Sequence, residues 1–121
     1  MILVDTSIWV DHLNKEDPAM RQLLFAGSVL CHPLVIGELA VGNLHPRLAI
    51  LKMLQRLPSI NAATHNEALN FISQNTLFGL GIGYIDAHLL ASVRLTQNAS
   101  LWTRDRRLAK VAESMKLAFR P

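Results

Sequence analysis

Residues 2–13 read ILVDTSIWVDHL, an apolar run that is followed by an acid and then by hydrophobic residues at helical spacing. The run from Ile2 to Val4 is typical of a short strand that is buried in a parallel sheet. The hydroxyl and carboxylate side chains of residues 5–7 are suited to capping a helix, and the apolar residues from Ile8 onward recur at the helical period. The stretch therefore predicts a strand, a tight connection and a helix.

The same alternation of strand and helix continues along the chain. We expect further strands at residues 29–31, 58–61, 100–103 and 117–119. Helices are predicted from Asp17-Pro18, over 34–41 and 46–56, from a capping box at Thr64 and Glu67 to residue 74, over 84–96 and over 105–115. Alternating strands and helices predict right-handed crossovers and an α/β fold around a central parallel sheet of about five short strands. No repeat or linker divides the chain, so we expect one domain over residues 1–121.

Composition indicates a globular protein of a reducing compartment. Half of the 121 residues are hydrophobic and 17% are charged, which excludes a disordered chain. The single cysteine, Cys31, cannot form an internal disulfide. We find no leader sequence and no apolar stretch long enough for a bilayer, and we expect a cytoplasmic protein. The net charge of +3 is by itself weak support for a polyanionic partner.

Two of the nine acids follow predicted strands directly. Asp5 comes after the first strand, and Asp105 comes after the strand that contains Trp102. Open α/β sheets bind ligands at the carboxyl ends of their strands, which makes both acids candidates for a site. Each is also a suitable N-cap for the helix that follows, and either acid taken alone is explained equally well by capping.

Two further acids, Glu38 and Asp86, lie within apolar helical segments. The residues three and four positions away are all apolar or glycine: Leu34, Val35, Val41 and Gly42 for Glu38, and Ile82, Gly83, Leu89 and Leu90 for Asp86. We therefore expect both carboxylates to face the core, where an uncompensated charge costs several kcal/mol. For Asp86, a capping role in the first turn is the alternative.

The four acids together predict a metal site. Carboxylates without histidine or cysteine partners form an oxygen site, which favours Mg²⁺ or Mn²⁺ over zinc. Such ions activate water and stabilise a leaving oxygen, so the chemistry expected is phosphodiester hydrolysis with the carboxylates as ligands. An aspartate-nucleophile fold would require a second acid at position 7, which is serine.

The sequence resembles the PIN-domain nucleases, specifically the VapC-like toxins of bacterial toxin–antitoxin pairs. The resemblance covers nearly the whole chain and rests on VDTSIW at residues 4–9, Glu38, GIGYIDAHLLAS at 81–92 and LWTRDRRL at 101–108. It implies a three-layer α/β/α fold and an endoribonuclease that requires Mg²⁺, or Mn²⁺ as a substitute. The residues implied at the site are four metal ligands, Asp5, Glu38, Asp86 and Asp105, and two hydroxyls that orient the acids or metal-bound water, Thr6 and Thr103.

Partners follow from the same resemblance. It implies an RNA substrate, a homodimer, and a cognate antitoxin whose tail covers the site. Four basic residues around Asp105 are candidates for contacts with RNA phosphates: Arg104, Arg106, Arg107 and Lys110. Simple solvation of Arg106 and Arg107 is the alternative. The alternative function is a non-catalytic RNA-binding or antitoxin-sequestering module that keeps the fold, although such a module would be expected to have lost an acid.

Aromatic and histidine residues favour structural roles. Trp9 and Trp102 can stack on bases, but their positions beside strands favour packing in the core. The five histidines lack the spacing of metal ligands, and we interpret them as structural or solvated: His12, His32, His45, His65 and His88.

Overall fold

The computed structural model describes all residues from 1 to 121. Seven helices accompany three strands. In chain order the elements are β1 (Ile2–Val4), α1 (Thr6–Asn14), α2 (Pro18–Phe25), β2 (Val29–Leu30), α3 (Pro33–Val41), α4 (Arg47–Arg56), α5 (His65–Gln74), α6 (Tyr84–Leu95), β3 (Ser100–Trp102) and α7 (Arg106–Ser114). None of the helices combines the length and the apolar character needed to cross a membrane.

The sheet is parallel, with strand order β2-β1-β3. The first strand of the sequence lies in its centre, where Leu3 is in register with Leu30 of β2 and with Leu101 of β3. The α/β fold with a central parallel sheet is thus confirmed, but with three strands instead of about five. The segments predicted as the other two strands make one bridge each, Cys31 with Ser59 and Leu101 with Ala118. Because each segment pairs around a single partner residue, it extends an edge of the sheet without forming a strand.

The core is one cluster of 25 buried residues around this sheet. All three residues of β1 are buried, as its central position requires. Trp9 and Trp102 belong to the cluster, with exposed fractions of 0% and 4%, and Trp102 packs edge-on against Phe119. Packing in the core, the favoured interpretation of both tryptophans, is confirmed.

Helix starts follow the capping side chains of the sequence. Asp17 accepts the N–H groups of Ala19 and Met20 at the start of α2. Thr64 and Glu67 form the predicted capping box of α5, since each side chain accepts the other residue's backbone N–H. Because β1 and β3 are adjacent and parallel, both end at the same edge of the sheet, which brings Asp5 next to the turn at residues 103–105.

Candidate active site

Asp5 is held at the carboxyl end of β1 by two hydroxyl groups. Its side chain is buried, and Oδ2 accepts hydrogen bonds from Ser7 Oγ at 2.8 Å and from Thr103 Oγ1 at 2.7 Å. It precedes α1 in the sequence but makes no side-chain capping bond to that helix. Capping therefore does not explain this acid. Two charge-stabilising donors fix its orientation from opposite ends of the chain.

Asp105 begins α7 and does cap it. Oδ1 accepts the N–H groups of Arg107 at 3.0 Å and Leu108 at 3.1 Å, which confirms the capping interpretation of this residue. Its own N–H donates to Thr103 Oγ1 at 3.1 Å. Thr103 therefore contacts both the carboxylate of Asp5 and the backbone of Asp105. Oδ2 of Asp105 accepts no hydrogen bond from the chain, so it is free to bind a ligand.

The expectation that Glu38 faces the core is wrong. Its side chain is exposed, and Oε1 accepts a hydrogen bond of 2.7 Å from Thr6 Oγ1. Helix α3 buries Val35 and Leu39 instead, while Val41 is 90% exposed. The apolar neighbours of Glu38 in the sequence are thus partly surface residues, and a helical pattern does not distinguish them from core residues. Glu38 instead borders an open cleft beside α1.

Asp86 is half-buried in the first turn of α6, so the expectation of a core-facing position holds only in part. Oδ2 accepts the N–H of Gly83 at 3.2 Å, as the capping alternative predicted. Burial raises the pKa of this carboxyl, and the charges of Asp5, Asp105 and Glu38 raise it further, against the lowering effect of the Gly83 N–H. The other three acids are therefore near enough for their charges to act on Asp86.

The donor set has the chemistry of a site for a hard divalent cation. Carboxylates and hydroxyls meet there, and the charges of Asp5, Asp105 and Glu38 all disfavour ionisation of Asp86. No three acidic, histidine or cysteine side chains lie close enough to enclose one ion directly. Magnesium retains several water ligands, so its binding does not require that every ligand be a side chain.

Ser7 is a site residue that sequence reasoning did not single out. Its hydroxyl donates to Asp5, lies 3.4 Å from Thr103 Oγ1 and accepts the N–H of Arg104 at 3.1 Å. The structure places Thr6 against Glu38 instead of Asp5. The available signal was the hydroxyl of Ser7, two residues after Asp5. Its contact with Thr103, however, joins residues 96 positions apart, and no local sequence pattern predicts such a contact.

The four basic candidates for RNA contacts divide into two groups. Arg104 forms two ion pairs of 2.6 Å, with Asp11 Oδ2 and Asp17 Oδ2. The other three are exposed and pair with no carboxylate: Arg106, Arg107 and Lys110. Arg107 lies over Gly81, where an added Cβ would be 2.7 Å from Nη1. Gly81 also has φ +80°, so both the space and the backbone favour glycine there.

A second group of polar side chains is buried outside the acidic site. His32 Nε2 and Ser92 Oγ are 3.0 Å apart, and Nδ1 of His32 accepts the N–H of Leu34. Ser92 also accepts the N–H of Ala63 and donates to the carbonyl of His88. Burial, and then the charge of His88, lower the pKa of His32 to about 4. His32 and His88 are buried, which agrees with a structural role for both.

The chain is similar to known proteins over most of its length. A family model described as "PIN domain" matches residues 2–114. Ribonuclease VapC32 of Mycobacterium tuberculosis, from two strains, is 47% identical over 115 residues, which cover 94% of this chain and 93% of that protein. The crystal structure of FitAcB from Neisseria gonorrhoeae is similar with a TM-score of 0.59 and 17% identity, over 93% of this chain and 94% of that chain. At that identity the structural likeness concerns the fold alone.

Proposed function

The chain belongs to the PIN domain family, and from this premise we propose that it is a metal-dependent endoribonuclease and the toxin of a toxin–antitoxin pair. The observation that carries the proposal is the convergence of the acids at one edge of the sheet, where Thr103 contacts both Asp5 and the backbone of Asp105. The pKa of Asp86 is raised mainly by burial and further by the charges of Asp5, Asp105 and Glu38, which supports this convergence. The curated relative is named a ribonuclease, which supports RNA as the substrate. The resemblance found in the sequence is confirmed by the family match.

In this proposal the four carboxylates hold Mg²⁺ or Mn²⁺. The bound cation would supply positive charge that offsets the acids, activates water and stabilises the leaving oxygen. Ser7 and Thr103 fix Asp5 through one oxygen, so Oδ1 of Asp5 keeps its capacity to bind. Thr6 orients Glu38, and the capping bonds of Asp105 leave its Oδ2 without a partner in the chain. The chain thus uses neutral donors to orient its acids and does not neutralise them.

RNA phosphates are bound in this proposal by the exposed basic side chains near Asp105. Arg106, Arg107 and Lys110 have no carboxylate partner, so their positive charges are available to a polyanion. Arg107 also lies over Gly81, in the segment that leads to α6 and Asp86.

The proposed antitoxin contact is a partly apolar groove that has Glu38 in its lining. Its lining joins Thr6 and Glu38 to the apolar side chains of Val10, Leu13, Leu39 and Leu44. An antitoxin tail with an apolar face fits this groove, and a basic side chain at its end would meet Glu38 and its acidic neighbours. We include a homodimer in the proposal because the family resemblance implies one; sedimentation of the purified chain tests it.

Cleavage assays with purified protein test the enzymatic proposal. We expect wild type to cleave RNA with Mg²⁺ or Mn²⁺ and the Asp5→Asn variant to lose at least about a thousandfold in rate, with folding intact. Glu113→Gln, which removes an exposed acid remote from the site, is the matched control and should cleave normally. Full activity in excess chelator would contradict the metal mechanism. RNA binding without cleavage would favour the non-catalytic alternative.

A further inference from the structure

We propose that Arg104 is a positioning residue that sets the placement of Asp105 relative to Asp5 by clamping the 103–105 turn onto α1 and α2. The inference rests on the proposed function of the acidic site. It also changes the interpretation of Arg104, which the sequence suggested as an RNA contact.

The clamp consists of four contacts made by one residue. The guanidinium of Arg104 pairs with Asp11 on α1 and with Asp17, the N-cap of α2, at 2.6 Å each. Its backbone N–H donates to Ser7 Oγ at 3.1 Å, and its guanidinium carbon lies 5.8 Å from the centre of the Trp102 ring. Side chain and backbone therefore tie the turn to two helices and to the end of β3.

Arg104 is connected to the acids of the site through Ser7 and Thr103. Ser7, which accepts from the Arg104 backbone, donates to Asp5 Oδ2. Thr103, on the other side of Arg104, donates to the same oxygen and accepts from the N–H of Asp105. Each of residues 103, 104 and 105 thus contacts either an acid of the site or a hydroxyl that orients one. Release of the Arg104 side chain would remove the only ion pairs of the turn and leave hydroxyl contacts, backbone bonds and the cap of α7.

The charges favour positioning over RNA contact. Two carboxylates at 2.6 Å leave the Arg104 group with a net charge of −1, which repels phosphate. The hydrogen bonds to Asp11 and Asp17 raise the pKa of Arg104, and the pKa of Asp17 is lowered, mainly by the Met20 N–H and then by Arg104. A phosphate would have to displace two existing partners, whereas Arg106, Arg107 and Lys110 offer charge without that cost.

The test compares removal of the arginine with removal of its partners. We expect Arg104→Gln and the double variant Asp11→Asn/Asp17→Asn each to lower kcat for RNA cleavage about 10- to 100-fold with KM changed less than about threefold, because misplaced groups slow the reaction more than they weaken binding. An asparagine in place of Asp17 can still cap α2, so the double variant removes charge and leaves the helix start intact. Combining all three substitutions should be no worse than either set alone.

An RNA contact predicts the opposite pattern. In that case Arg104→Gln would raise KM and reduce the salt dependence of RNA binding by about one phosphate contact, and the double aspartate variant would free the arginine and tighten binding. Either result would overturn the clamp. Arg120→Gln is the matched control, since Arg120 forms a 2.6 Å ion pair with Glu113 at the far end of α7. It should leave kcat and KM unchanged.

Amide hydrogen exchange tests the clamp without reference to RNA. We expect faster exchange at residues 103–108 in Arg104→Gln and in the double variant, but not in Arg120→Gln. Unchanged exchange there would refute the clamp. If Arg104→Gln fails to fold, the double variant and Arg104→Lys, which keeps the charge but loses the planar two-partner geometry, provide the same comparison. If wild type cleaves no RNA, the proposed function fails, while the exchange experiment still decides the clamp.

Discussion

Helix α6 contributes side chains to two polar regions, which differ in how their hydrogen-bond donors and acceptors are paired. Near its start, Asp86 lies among three other acids, with its pKa raised by burial and by their charges. Further along the helix, Ser92 lies in a closed network with His32, in which donors and acceptors of the chain bond to one another. The first region brings like charges together, whereas in the second the side chains of His32 and Ser92 are paired within the chain, although Nδ1 of the neighbouring His88 is buried without a partner.

This difference separates a candidate site from scaffold. A buried polar network whose bonds are all internal contributes to stability, and it has no capacity left for a ligand. Crowded carboxylates cost stability and retain free oxygens, which is the condition that a bound cation relieves. Burial of a polar side chain is therefore less informative than what its remaining donors and acceptors contact.

The largest expected effect comes from Asp86→Asn. Activity should fall at least about a thousandfold because a proposed metal ligand loses its charge. Stability without metal should hold or rise, since the amide oxygen can still accept from Gly83 and the charge repulsion is gone. Because the folded pKa of Asp86 is raised above 3.8, wild type loses stability as pH rises through that folded pKa, and Asp86→Asn should not.

Thermal unfolding of the two proteins between pH 3 and pH 7, about the range in which carboxylates titrate, measures this contrast. Added Mg²⁺ should raise the melting temperature of wild type more than that of the variant. A variant that is less stable than wild type at every pH would show that Asp86 is a scaffold residue, like Ser92.

His32 should give the opposite dependence on pH. Its pKa is lowered from 6.5 to about 4, so the unfolded chain takes up the proton first as pH falls. The protein should lose up to about 3 kcal/mol of unfolding free energy as pH falls through this window, in addition to losses from other groups. His32→Gln should lose correspondingly less between pH 7 and pH 4. Histidine ring signals in NMR should show His32 titrating near pH 4; titration near 6.5 would contradict the burial that explains the shift.

Ser92→Ala should give a smaller change, confined to stability. Its hydroxyl accepts from Ala63 and contacts His32, so its removal leaves buried groups unpaired and should cost about 2 kcal/mol in urea unfolding. Ser73→Ala, at an exposed position of α5, is the control and should change stability by less than about 0.5 kcal/mol. Cleavage per folded molecule should be unchanged in both. Loss of cleavage in folded Ser92→Ala would mean that the two regions of α6 are coupled.

Local sequence patterns predicted the parts of the fold that local forces determine. The capping box at Thr64, the proline start of α2 and the acid that caps α7 all follow from bonds within four residues. Residues 58–61 and 117–119 form single bridges instead of the two predicted edge strands. The length of such a pairing depends on how far the neighbouring strand extends, and local sequence patterns do not determine this. The approach of Asp5 to residue 103 follows from the pairing of β1 with β3. The alternation of strands and helices predicted a parallel sheet but not this strand order.

The orientation of Glu38 and the role of Arg104 could not be predicted in this way. The apolar neighbours of Glu38 on α3 favour a core position, yet Val41 among them is 90% exposed. Arg104 reaches Asp11 and Asp17 across 93 and 87 positions, and no spacing rule encodes such a pair. Contacts between segments that are distant in the sequence determine which polar side chains are paired within the chain and which remain available to a ligand.

The central position of β1 has a consequence for the order of events during synthesis. Asp5 leaves the ribosome before its partner Thr103, which follows 98 positions later. Until β3 and the turn after it have emerged, β1 has no neighbour on one side and Asp5 lacks one of its two donors. Contacts at such separation form late in folding. The acidic site of a nascent chain is therefore incomplete until residues 100–105 have emerged.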